Sequence, residues 1–158
     1  MEVTDFAVIE AEFLQRVHSV VWCNAATVDS QQRPRSRILH PIWEGSTGWV
    51  LTYRDSHKAR HLAANPYISL AYIADISKPV YIDCQTEWAD SLMQKQHVWD
   101  LFLHAPPPLG YDPATLFDRV DHERLGVLKL IPWRIELVTF PAPSLDANPV
   151  WRRQLKKA

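Results

Sequence analysis

Long apolar runs are missing from this chain of 158 residues. None reaches the roughly 20 consecutive apolar residues that a bilayer-crossing helix needs, so no membrane role is expected. The N-terminus has no basic start followed by an apolar block, and a secretory leader is therefore not expected. Cysteine is scarce: Cys23 and Cys84 are the only two, and they lack metal-ligand spacing. In a cytoplasmic protein, the location expected here, they read as two buried thiols. Neither sign of charge is in excess, because 17 basic residues face 18 acidic ones for a net charge of −1. That balance argues against nucleic acid as the main partner. The chain also lacks a Ser-His-Asp order, a nucleophile elbow and a carboxylate pair suited to hydrolysis. No internal repeat is visible.

A hydrophobic fraction of 47% and seven tryptophans suit one well-cored domain. Phe6, Ile9, Phe13 and Val17 share one helical face, which predicts a short helix within residues 5–18. Extended segments are predicted over residues 19–28, 33–43, 49–53, 67–73 and 127–140. Val80 to Trp88 alternates apolar with polar residues, as a half-buried strand does. Ser91 or Asp90 can cap a helix from Leu92 to about His104, with Leu92, Gln96, Trp99 and Leu103 in line. Pro113 suits the first position of another short helix capped by Asp112. Twelve prolines cluster late, at Pro106–Pro108 and between Pro141 and Pro149, and mark loops. Pro41 cannot donate a strand hydrogen bond, so a bulge or an edge is expected there. Six or so strands with small helices between them fit a closed antiparallel barrel. Residues 1–145 read as one domain and residues 146–158 as a basic tail, either frayed or laid on a partner subunit.

The most informative stretch joins two extended segments, Arg35 to Trp43 and Trp49 to Tyr53, through a turn at Glu44–Gly48. A short helix follows from His57 to Ala64, stopped by Asn65-Pro66. A helix N-terminus offers unpaired N–H groups and the positive end of a dipole. Lys58, Arg35 or Arg37, and the hydroxyls of Thr52 and Ser56 could converge there on one phosphate. The phosphate would belong to a cofactor, which would carry the chemistry. His57 and His61 lie four apart, a spacing that can serve a metal. The Lys-Ala-Arg between them would repel a cation, so no metal is expected.

These residues resemble the pyridoxamine 5′-phosphate oxidase-like, FMN-binding split-barrel family. The resemblance rests on Arg37-Ile38-Leu39, Thr52 and Ser56-His57-Lys58, with Asn65 to Tyr72 similar to the family's next strand. Pro108 to Pro113 and Val127 to Leu137 are similar to the closing loop and strand of its short, stress-protein-like members. The likeness covers roughly residues 19–140. It implies a mainly β fold, a six-stranded antiparallel Greek-key split β-barrel. It also implies FMN contacts from the family positions, and hence cofactor roles for Arg35, Arg37, Ile38, Leu39, Thr52, Tyr53, Ser56, His57, Lys58 and Tyr111. Homodimers with the cofactor in the seam are implied too, with Trp99, Phe102 and Trp133 as candidate interface residues. Ser77–Pro79 stands where true pyridoxamine phosphate oxidases carry a flavin-touching glutamine. Their further substrate-phosphate segments have no counterpart before Ala158, so that substrate is not expected.

The function implied is a flavin-dependent oxidoreductase with hydride transfer through the flavin, its substrate open. One alternative is a reductase using the deazaflavin coenzyme F-420, with Arg54, Lys58 and Arg60 meeting its anionic parts. Another is a non-catalytic flavin carrier or sensor. A last one is haem binding through His104 or His122. Trp88, Trp99, Trp133 and Tyr111 read first as core aromatics, with Tyr111 the best candidate for a pocket.

Overall fold

The computed structural model describes residues 1–144 and 146–153. Its six long strands are β2 (Cys23–Val28), β3 (Pro34–Leu39), β5 (Thr47–Tyr53), β6 (Tyr67–Tyr72), β7 (Val80–Trp88) and β8 (Leu125–Leu137). They pair antiparallel in the order β3-β2-β6-β7-β8-β5. Three short strands extend the sheet: β1 (Glu2–Val3), β4 (Ile42–Glu44) and β9 (Val150–Arg152). β4 pairs β5, β9 pairs β8, and β1 lies parallel to β9. The stretch expected as a basic tail is thus sheet at Val150–Arg152, while residues 154–158 lie outside the described residues.

The expected closed barrel is not closed by hydrogen bonds. Among the described residues no ladder joins the terminal strands β3 and β5. One extended segment was expected from Arg33 to Trp43. The chain instead breaks at His40-Pro41, where proline has no N–H to give, and resumes as β4. β8 contains a second such device. Asp83 faces Arg134 and Cys84 faces Pro132, leaving Trp133 as an extra residue in a bulge. The other edge of β8 changes partner across that bulge, from β5 before it to β9 after it.

β5 is buried from Gly48 through Thr52 because both of its faces are covered. Val50 joins the barrel core with Phe13, Trp43, Leu70, Ile82 and Leu128. Trp49 and Leu51 join a second core with Val98, Phe102, Phe117, Leu125 and Val127. A turn at Phe6–Val8 and helix α1 (Glu10–Val20) cap the first core, with Ile9, Phe13 and Val17 inward as their spacing predicts. Helices α3 (Leu92–His104) and α4 (Ala114–Phe117) cover the second. Ser91 caps α3 by accepting from Gln94 N at 3.2 Å. The buried face of α3 is Val98, Trp99 and Phe102, whereas Leu92 and Leu103 are exposed, so its expected apolar line is corrected. Trp99 and Phe102 are buried within their own chain and are withdrawn as interface candidates. α4 begins one residue later than expected, with the Asp112 carboxylate accepting from Ala114 N at 2.9 Å. Cys23 and Cys84 are free, buried thiols, and burial pushes Cys23 up to about 12.

Candidate functional site

β5 ends at Tyr53, and three residues later Ser56 caps α2 (His57–Ala64). The Ser56 hydroxyl accepts from Ala59 N at 3.4 Å, using a donor the helix start leaves over. Lys58, in the first turn, is half-buried, and its Nζ donates to Ser56 Oγ at 3.3 Å. Burial first, and the nearby Arg37 charge second, lower its pKa from the ordinary lysine value. No carboxylate pairs with Lys58 among the described residues. A desolvated cation beside a like charge is costly alone, and an anion relieves it.

Lys58 opens into a recess of about 490 Å³ in the gap between β3 and the part of β5 that β4 leaves uncovered. Ile38, Leu39 and His40 form one wall, Val50 to Tyr53 the other, and Tyr111 with Thr115–Phe117 the roof. The roof is tied to both walls. His40 Nε2 lies 2.6 Å from the Leu109 carbonyl, and because a carbonyl only accepts, Nε2 carries the proton. The Tyr53 hydroxyl donates to the Leu116 carbonyl at 3.3 Å, and its ring sits 4.9 Å from that of Phe117. The His40 ring packs against Trp22, Phe102 and Tyr111. Burial lowers the His40 pKa against the opposing Leu109 hydrogen bond. Burial also raises the Tyr111 phenol to about 12, helped by Tyr53.

A smaller recess, about 200 Å³, stands one residue along both elements and is lined by Arg35, Ser36, Arg37, His57 and His61. Arg37 Nη1 donates to Thr27 Oγ1 at 2.7 Å. Arg35 lies 3.6 Å from Asp29, which also pairs with Arg33 at 2.9 Å. His57 Nδ1 accepts from Arg60 Nη2 at 2.8 Å.

Of the ten expected cofactor residues, Ile38, Leu39, Thr52, Tyr53, Lys58 and Tyr111 line the larger recess. Ser56 touches it through Lys58, while Arg35, Arg37 and His57 line the smaller one. Arg54 and Arg60 line a third recess on the far side of α2, where Arg54 pairs with Asp90 at 3.1 Å and covers the Trp88 ring. Neither reaches the groove that holds Lys58. His104 is exposed and bonded to the Asp100 carbonyl, and His122 accepts from Arg124 N; neither lines the larger recess. Thr115, Leu116 and Phe117 went unnoticed in the sequence, since nothing local ties them to β5 more than 60 residues earlier. His40 had a signal, its place directly after Leu39.

A family model described as pyridoxamine 5′-phosphate oxidase matches residues 9–102. No curated protein matches the chain. Among solved structures, a Clostridium acetobutylicum protein related to general stress protein 26 superposes with a TM-score of 0.70 at 14% identity, over 94% of this chain and 96% of that one. A Nostoc punctiforme FMN-binding protein related to pyridoxamine 5′-phosphate oxidase gives 0.68 at 14% identity, over 99% and 94%. An F-420 reductase gives 0.60 at 17% identity, over 78% and 93%. At such identities the likeness is one of fold.

Proposed function

This chain belongs to the pyridoxamine 5′-phosphate oxidase family, and on that premise we propose that it binds FMN and works as a flavin-dependent oxidoreductase. The observation that carries the reading is the half-buried, carboxylate-free Lys58 at the mouth of an apolar-walled recess. A recess of about 490 Å³ falls within the usual range for small-molecule sites. Lys58 and Arg37 supply cationic donors for a phosphoryl group, and the Ser56 and Thr52 hydroxyls lie close by. Ile38, Leu39 and Leu51 supply an apolar bed for a flat ring. β3 is an edge strand along this gap, so its backbone can also bond the ring's polar rim. Bound FMN would supply hydride-type redox chemistry, which explains why no side-chain nucleophile is needed. Tyr111 and the roof segment exclude water from one side.

A second reading keeps the barrel and exchanges FMN for the deazaflavin coenzyme F-420. Its support is the fold shared with the F-420 reductase. The remote placement of Arg54 and Arg60 weighs against their expected role in holding its anionic tail. Ile38 and Leu116 are exposed apolar residues on the rim of the recess, and a homodimer that covers them with the cofactor between subunits is part of this proposal.

The test is the absorption spectrum of the purified protein, with any extracted cofactor identified by mass. Released FMN supports the first reading and a bound deazaflavin the second, whereas a Soret band or failure to bind either flavin sinks both. Turnover of reduced nicotinamide with a dye acceptor separates an enzyme from a carrier. Light scattering at known concentration reads the oligomeric state.

A further inference from the structure

Thr27 lies on β2 with only 1% of its surface exposed, although it ends in a hydroxyl. Arg37 Nη1 donates to Thr27 Oγ1 at 2.7 Å, and Oγ1 stands 2.9 Å from His61 Nδ1. A guanidinium can only donate, so Oγ1 accepts from Arg37. Its own proton goes to His61 in the tautomer that leaves Nδ1 bare. The chain of two hydrogen bonds runs from β3 through β2 to α2, and each element contributes one residue. In the β2–β3 register Ala25 faces Arg37 and Thr27 faces Arg35, so Arg37 reaches diagonally to meet Thr27.

The charge around this relay is one-sided. Arg35, Arg37, His57 and His61 line the small recess, and the Lys58 ammonium is near enough for its pKa to be lowered by Arg37. The nearby carboxylate, Asp29, is engaged by Arg33 and Arg35. Arg37 makes no ion pair among the described residues. An uncharged hydroxyl therefore steers its guanidinium while leaving its charge uncompensated and other N–H groups free for an anion.

We propose that Thr27 and His61 are positioning residues: they hold the Arg37 guanidinium on the cofactor's phosphoryl group, and so make the chain select a phosphorylated flavin over its dephosphorylated form. The inference rests on the FMN reading above and adds to it the residues that set phosphate selectivity.

The experiment titrates the full chain, stripped of flavin, with FMN and with riboflavin, the same ring without phosphate. Thr27→Val deletes the hydroxyl at nearly constant volume. It lowers FMN affinity about tenfold, the value of one charged hydrogen bond, and leaves riboflavin affinity unchanged. Thr27→Ser restores FMN binding to within about twofold. His61→Asn, which can accept near the Nδ1 position, loses less than His61→Leu. In an Arg37→Ala background Thr27→Val adds less than about twofold, because no guanidinium remains to be held. A loss shared by both flavins, or one that persists undiminished without Arg37, means that Thr27 is merely structural and overturns the proposal. If Arg37→Ala abolishes the preference for FMN but Thr27→Val and His61→Leu do not, the positioning role fails while the cofactor reading stands. If the unsubstituted chain binds neither flavin, both fail. Should Thr27→Val not fold, the Thr27→Ser and His61 pairs decide alone.

Discussion

Replacing Lys58 by Met keeps the aliphatic stem and removes the charge, and it shifts two equilibria in opposite directions. Without cofactor, the half-buried ammonium has Ser56 Oγ at 3.3 Å as its hydrogen-bond partner and the Arg37 charge nearby as an opponent. Taking it away relieves desolvation and like-charge repulsion, so the apoprotein is expected to be unchanged or more stable, by up to about 1 kcal/mol. With FMN, the same substitution deletes a charge-assisted hydrogen bond to phosphate, worth about 1.5–3 kcal/mol. That converts to a roughly 10- to 150-fold weaker Kd. Quenching of flavin fluorescence measures the affinity, and urea unfolding of the apoprotein measures the stability. Equal FMN affinity would remove Lys58 from the site. A destabilised apoprotein would show that Lys58 is a structural cation and that its burial is compensated in some way the contacts above do not include.

Gly110 admits no side chain, since a Cβ there would stand 2.0 Å from the Ala105 carbonyl oxygen and 2.7 Å from that of Phe102. Gly110→Ala therefore displaces the segment carrying Leu109 and Tyr111, costing about 1–3 kcal/mol and weakening FMN binding; a variant with the parent's melting temperature and affinity would refute the account of the roof. Acid is expected to destabilise the fold before its carboxylates titrate. His18, His40 and His61 all have pKa values lowered from the ordinary imidazole value, each chiefly by burial, and His18 Nε2 accepts from Trp43 N at 3.1 Å. The unfolded chain then binds more protons, so their stability is fully present above the ordinary value and is lost as pH falls through it toward the folded values. Urea midpoints at about pH 7.5 and about pH 5.5 check this, with His18→Gln, which keeps an acceptor, flattening part of the slope; a midpoint that rises on acidification would contradict the sign.

Those elements with both a local stop signal and a clear periodicity were legible in the sequence. His57–Ala64 had Ser56 before it and Asn65-Pro66 after it, and Val80–Trp88 had strict alternation. β4, β1 and β9 were not legible, because two- and three-residue strands exist only through the partners they find. The site divided in the same way. Thr52 and Lys58 sit near one another through the single turn between β5 and α2, and their spacing was informative. Arg35 and Arg37 share a strand face by period, yet one turns to Asp29 and the other to Thr27. That divergence depends on β2, which pairs with β3 and carries Thr27, and on the turn after it, which carries Asp29. The roof residues at Thr115–Phe117 reach the recess through tertiary contacts that no local pattern encodes.

The unpaired border of β3 carries a hazard as well as an opportunity. A strand with spare N–H and C=O groups is a template for any other strand, and identical chains at high concentration supply many. Pro34, Arg35 and Arg37 interrupt that template with a missing donor and two mutually repelling charges. Proline and charge on an edge strand discourage unordered strand-to-strand pairing, which is distinct from the ordered dimer proposed above and from anything these arginines do for a ligand. Neutralising both together carries a solubility penalty, visible as turbidity on concentration, even where affinity alone is being measured.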